Sequence, residues 1–94
     1  MRLRGFIIDT MITVLYFARL REALGTGLEQ IALPATVNDL DGLRSLLVAR
    51  GGSWAQELAA NKAVRAAVNQ NIAGGGTQVT DGDEIAFFPP VTGG

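Results

Sequence analysis

Thr80-Asp81-Gly82-Asp83-Glu84-Ile85-Ala86-Phe87-Phe88-Pro89-Pro90-Val91-Thr92-Gly93-Gly94 closes the sequence, and its reading decides the fold. Thr80-Asp81-Gly82-Asp83 is a turn signal, because Asp side chains bond their own backbone and Gly takes positive φ without steric cost. Glu84 to Phe88 then reads as a strand. Pro89 and Pro90 end it, since proline has no N–H to give a ladder. A strand this apolar calls for burial on both faces, which a sheet centre provides. The matching element lies at the other end of the chain: Ile12-Thr13-Val14-Leu15-Tyr16-Phe17 is rich in β-branched and aromatic residues. The two are expected to lie side by side and parallel at the centre of one sheet.

The elements between them complete the pattern. Ala18 to Leu24 has helical composition and stops at Gly25. Leu28 to Leu33 reads as a second strand ended by Pro34, paired with the first in a hairpin-like manner. Thr36, with Asp39 three residues on, predicts the N-terminus of the main helix as an acidic variant of the capping box. Val37, Leu40, Leu43 and Leu47 share one face of that helix. Arg44 and Arg50 lie off that stripe or near its C-terminal end, where cations suit the dipole. Gly51-Gly52 stops the helix, and Ser53 with Gln56 opens a short second one carrying Trp54 and Leu58. Val64 to Val68 is a third strand, Asn69-Gln70-Asn71 a turn, and Gly74-Gly75-Gly76 a loop. The class is α+β: one main helix packed across a mixed sheet, for which the β-grasp arrangement fits best. Val14, Leu15, Leu40, Leu43, Leu47, Val68 and Ile85 are the expected core.

Composition narrows the function. Ninety-four residues make one domain with a modest core. Hydrophobic content is 48% and formal net charge −1, the signature of a globular rather than a disordered chain. That balance gives no electrostatic case for nucleic acid. No apolar run approaches the roughly 20 residues that span a bilayer. Arg2 and Arg4 precede Phe6-Ile7-Ile8, but Asp9 ends that run far short of a signal-peptide core, so a cytoplasmic location is expected. The sequence has no Cys and no His. Thiolate nucleophiles, imidazole acid–base chemistry and ordinary zinc or haem ligation are thereby excluded, and no metal site is expected. Asp81, Asp83 and Glu84 could form an acid–base or metal cluster, but a solvated turn explains them better. The glycine run at 74–76 is not followed by the Lys-Ser or Lys-Thr of a phosphate loop.

Three segments together resemble a known family. Ile12-Thr13-Val14-Leu15-Tyr16-Phe17-Ala18-Arg19-Leu20-Arg21-Glu22, Ala67-Val68-Asn69-Gln70 and the closing stretch from Thr80 to Gly94 look like the opening, middle and end of the small subunit of molybdopterin synthase. The resemblance runs from Met11 to Gly94, weakest over 51–62 and 73–79. It implies a ubiquitin-like β-grasp sulfur carrier, with residues 1–10 as an extension outside the family pattern, 11–88 as the domain and 89–94 as an extended tail. It further implies that an ATP-dependent, E1-like activating enzyme adenylates the Gly94 carboxylate, that sulfur displaces the adenylate to give a thiocarboxylate, and that the large subunit receives the tail. There the thiocarboxylate delivers sulfur to cyclic pyranopterin monophosphate in molybdenum cofactor biosynthesis, in a heterotetramer of two small and two large subunits. The chain itself would bind no cofactor, ATP being used by the activating enzyme, and would be a non-catalytic, sulfur-donating subunit whose active-site residues come from the large one.

The residues make physical sense of that role. Pro89 and Pro90 hold φ near −65° and favour an extended path. Six residues beyond Phe88, at about 3.3 Å each, reach roughly 20 Å from the domain. Pro89, Pro90, Val91, Thr92 and Gly93 are the expected tail-binding residues. A Gly-Gly end, having no Cβ, can pass through a channel too narrow for any side chain and leaves the terminal carboxylate unhindered. Phe17, Ile72 and Phe88 carry over as an exposed docking patch, the alternative being that each fills the core. Arg21 carries over as a cation for acidic groups on the partner, a merely exposed arginine being the alternative. Other readings stay open: a carrier for thiamine synthesis or tRNA thiolation, a ubiquitin-like modifier, or a passive β-grasp interaction module whose Gly-Gly is incidental.

Overall fold

A computed structural model describes residues 10–90. Strands β1 (Thr10–Tyr16), β2 (Leu28–Leu33), β3 (Arg65–Val68), β4 (Asn71–Ala73) and β5 (Glu84–Phe88) form one sheet in the order β2-β1-β5-β3-β4. β1 and β5 pair in parallel, Val14 opposite Ile85 and Tyr16 opposite Phe87, and every other pairing is antiparallel. The two ends of the sequence thus meet in the middle of the sheet, as the composition of both strands requires. Helices α1 (Ala18–Leu24), α2 (Leu40–Val48) and α3 (Gly52–Leu58) supply the remaining cover. Among the described residues no helix is long and apolar enough to cross a membrane.

The local chemistry explains the boundaries. Gly25 ends α1 at φ 76°, donating its N–H to the Arg21 carbonyl. The β3–β4 turn places Asn69 and Gln70 both at positive φ, the geometry whose twist matches a two-residue hairpin. Gly75 lies against the Asp41 carboxylate, and a Cβ there would oblige that side chain to turn away.

The start of α2 corrects the capping expectation. Asp39, not Thr36, is the N-cap, and its side chain accepts from the Gly42 N–H at 2.8 Å. The backbone before it is committed elsewhere. Val37 closes a turn onto the Pro34 carbonyl, the Asn38 carbonyl accepts from Val79, and Asp39 bridges Gln78. A helix beginning at Thr36 would have to break those bonds. A cap of this kind commonly contributes about 1 kcal/mol.

One core cluster gathers Ile12, Val14 and Tyr16 of β1, Ile31 and Leu33 of β2, Ile85 and Phe87 of β5, and Leu20, Leu40, Leu43, Leu47, Leu58 and Val79 beneath and between the helices. Tyr16 stacks on Phe87 with ring centroids 6.2 Å apart and meets the edge of Trp54 at 5.4 Å. Its hydroxyl donates to Glu29 at 2.7 Å, and Glu29 pairs with Arg50, whose guanidinium lies 4.4 Å from the Trp54 ring centre. Burial first, then the Glu29 bond and charge, push the Tyr16 phenol up, so it stays a neutral donor. Burial alone would raise the Glu29 carboxyl, but the bonds from Arg50 and Tyr16 outweigh it and hold that group below its ordinary range. Arg44 reaches from α2 to the carbonyls of Leu58, Ala59 and Lys62 at 2.6, 2.6 and 2.9 Å. It therefore neutralises the C-terminal end of α3 rather than that of its own helix.

Two expected core residues sit differently. Leu15 is only half-buried, because Val14 and Tyr16 already point to the helices and a strand alternates. Val68 is half-buried as well, packing against the cluster from outside it.

Candidate docking face and C-terminal tail

The face of the sheet turned away from the helices is where the exposed apolar surface collects. Alternation puts Met11, Thr13 and Leu15 of β1 on it, with Glu84, Ala86 and Phe88 of β5. Cross-strand register extends one row from edge to edge: Leu28, Leu15, Ala86, Ala67 and Ile72 stand opposite one another in turn. A second row begins with Phe88, opposite Arg65. Phe17 keeps β conformation (φ −119°, ψ 156°) and donates its N–H to the Phe87 carbonyl at 3.1 Å, which holds it at the level of Phe88.

The four exposed large hydrophobic residues among those described are Met11 (42%), Phe17 (47%), Leu28 (58%) and Ile72 (63%), and register and alternation place all of them on this face. Ala67 is buried yet stands outside the core cluster, forming the floor of the row. Single exposed apolar side chains are ordinary on a protein surface, whereas a contiguous set on one sheet face marks an interaction site.

The local backbone explains why Phe17 is outside the core. Ala18 takes φ 54°, in the left-handed region, so the chain turns sharply out of β1 and into α1. Strain of this kind costs on the order of 1 kcal/mol and leaves Phe17 at the rim of the sheet.

The sequence-derived site residues divide into four groups. Phe17, Ile72 and Phe88 lie on the common face, Phe88 half-buried and the other two exposed. Arg21 is exposed on α1, its side chain running beside Gly27. Pro89 and Pro90 are half-buried and follow β5 directly, outside any strand. Val91, Thr92, Gly93 and Gly94 lie outside the described residues, as do residues 1–9 of the expected extension, while Thr10 pairs with Leu33 as part of β1. Sequence reasoning missed Met11 and Leu28 as members of the face. The alternation of β1 and β2 could have found them once the buried parity was known.

The acidic segment is occupied structurally. Asp83 accepts from the Thr80 N–H and hydroxyl and from the Asn69 amide, and Asp81 accepts from the Met11 N–H. The Thr80 amide first, then Asn69, hold the Asp83 carboxyl below its ordinary range. These carboxylates brace the turn into β5. A cleft of about 430 Å³ is lined by Asp41, Arg44, Ser45 and Val48 of α2, Leu58 of α3 and Ala60, and its Arg44 is committed to backbone carbonyls.

The chain is similar to known proteins in sequence and in fold. The model of the ThiS family matches residues 14–94. The molybdopterin synthase sulfur carrier subunit of Escherichia coli strain K12 is 45% identical over 84 residues, which are 89% of this chain and 100% of that protein. Among solved structures, a putative molybdopterin converting factor subunit 1 from Pyrococcus furiosus superposes with TM-score 0.74 at 28% identity, covering 88% of this chain and 100% of that one. Subunit 1 and 2 of the molybdopterin-converting factor from Helicobacter pylori have been solved as a protein–protein complex. The matching chain has TM-score 0.64 at 27% identity, covering 90% of this chain and 100% of its own.

Proposed function

Because the chain belongs to the ThiS family, we propose that it is the sulfur carrier and small subunit of a molybdopterin synthase. The observation that carries this reading is the placement of β5. The strand that leads into the Pro-Pro-Val-Thr-Gly-Gly tail also contributes Ala86 and Phe88 to the apolar face. A partner seated on that face is therefore beside the root of the tail.

The chemistry follows from what the chain has and lacks. A carboxylate is a poor electrophile. Adenylation of Gly94 by an E1-like activating enzyme, which uses the ATP, supplies a leaving group that sulfur displaces. The thiocarboxylate so formed is a soft, ionised sulfur nucleophile that requires no Cys in the carrier. With no His or Cys in the sequence, the acids, bases and phosphate ligands come from the large subunit and the activating enzyme. The large subunit takes the tail and the sulfur passes to cyclic pyranopterin monophosphate, in the cytoplasm. Intact-mass measurement on protein from its native host tests the reading. A terminal oxygen-to-sulfur gain is expected. A population carrying only the free carboxylate, even in cells making molybdopterin, would replace it with a passive interaction module.

Two small and two large subunits are expected in the complex, each tail in a separate active site. Light scattering of the co-expressed pair checks this, and a stable one-to-one complex would contradict it.

A further inference from the structure

The apolar row on the open face has a directional problem. It runs across the strands from Leu28 to Ile72, and hydrophobic attraction is non-directional. A partner turned by half a rotation about the face normal would cover nearly the same row. In that orientation the tail, which leaves from the Phe88 end of β5, would point away from the partner's active site.

Two charges on the same face break this degeneracy. Arg65 stands opposite Phe88, at the end where the tail departs, and is exposed. Glu84 stands opposite Thr13, at the other end of β5, on the same face by alternation. Neither is in an ion pair among the described residues, whereas Arg19 is paired with Glu57, Arg50 with Glu29, and Arg44 is bound to carbonyls. Four residues of strand separate the two levels, about 13 Å at roughly 3.3 Å per residue. The row of Leu15, Ala86 and Ala67 lies between them. Asp81 and Asp83 reinforce the negative end, although both are also engaged in the turn.

We propose that Arg65 and Glu84 set the docking direction of the carrier: the partner surface covering the apolar row bears a carboxylate facing Arg65 and a cation facing Glu84. This rests on the reading of the large subunit as the partner. Such charges at the edge of an apolar contact act chiefly on encounter rate, salt dependence and rejection of wrong orientations. The face is then a polarised docking surface, with the positive end at the root of the tail.

The test is a binding titration of the full chain against its large subunit at low and at high salt, with thermal unfolding of each variant as a control. Arg65→Glu places like charge against like, and about a tenfold loss of affinity is expected at low salt, largely in the association rate. Near 1 M salt the Debye length is about 3 Å, so the loss should shrink severalfold. Glu84→Arg should behave in the same way, and Arg65→Gln, which is less disruptive should the reversal disturb folding, should show a smaller loss with the same salt trend. Phe88→Ala should lose affinity at both salt levels. Wild-type affinity for Arg65→Glu and Glu84→Arg at low salt overturns the proposal, and if Phe88→Ala still loses binding the sulfur-carrier reading stands. Reversal variants that bind the large subunit normally but are adenylated slowly would assign the polarity to the activating enzyme, and also overturn it. Absence of binding by the wild-type chain would remove both readings together.

Discussion

Deleting Gly94, or adding one Ala after it, is expected to abolish sulfur transfer while leaving the fold and most of the partner affinity intact. Among the described residues the last core residue is Phe87, and the last strand ends at Phe88. Neither variant alters a residue of the core cluster, so the unfolding transition should stay where it is. The docking face, built from β1, β3, β4, β5 and the start of β2, is also unchanged. What moves is the reactive carbon, by one residue or about 3.3–3.6 Å along an extended tail. Misplacement by 1 Å can cost on the order of a hundredfold in rate. The added Ala also brings a Cβ to a terminus where glycine has none, which a narrow partner channel would reject. A reconstituted assay with activating enzyme, ATP, a sulfur source, the large subunit and the pterin precursor measures transfer, and a titration run beside it measures affinity. Thiocarboxylate formation and molybdopterin synthesis at the wild-type rate in either variant would show that the terminus is not the chemical centre.

Much of the fold was legible because strand composition and turn chemistry agree. The β-branched and aromatic run at Ile12 to Phe17, the stops at Gly25 and Pro34, and the Thr80–Asp83 turn each have a local cause. Parity was not legible. Ile12 to Phe17 is apolar almost throughout apart from Thr13, so nothing in the run says whether Leu15 or Val14 faces the helices. Only the register against β2 and β5 decides it. Composition alone therefore assigns Leu15 to the core and does not place Met11 and Leu28 on the face. The start of α2 failed for a related cause. Thr36 and Asp39 satisfy a local capping pattern, but residues 77–79 take up the backbone between them through non-local bonds. Arg65 illustrates the same limit: its place beside Phe88 is a property of β3–β5 register, invisible in a segment read alone. The tail is the reverse case, since the chemistry proposed for it is read from its residue types alone.

The adjacent pair Phe87 and Phe88 gives a sharp test of the docking face, because alternation sends the two rings to opposite sides of the sheet. Phe87 is buried and stacked on Tyr16, so Phe87→Ala should cost about 3–5 kcal/mol of stability, as large aromatic truncations in cores do. Phe88 is half-buried on the open face, next to Phe17 and opposite Arg65. Truncating it leaves no cavity in the helix-side core, and a much smaller stability loss is expected. Its loss should fall on binding instead. Truncating an aromatic anchor that a partner buries commonly costs about 2 kcal/mol or more, which is roughly a thirtyfold weaker complex. Thermal unfolding of Phe88→Ala together with titration against the large subunit separates the two effects. A large stability loss with unchanged affinity of the folded fraction would make Phe88 a core residue and withdraw it from the face. Weakened binding with a nearly unchanged transition would show that the ring beside the tail anchors the partner, and that β5 divides its aromatic pair between holding the fold and holding the complex.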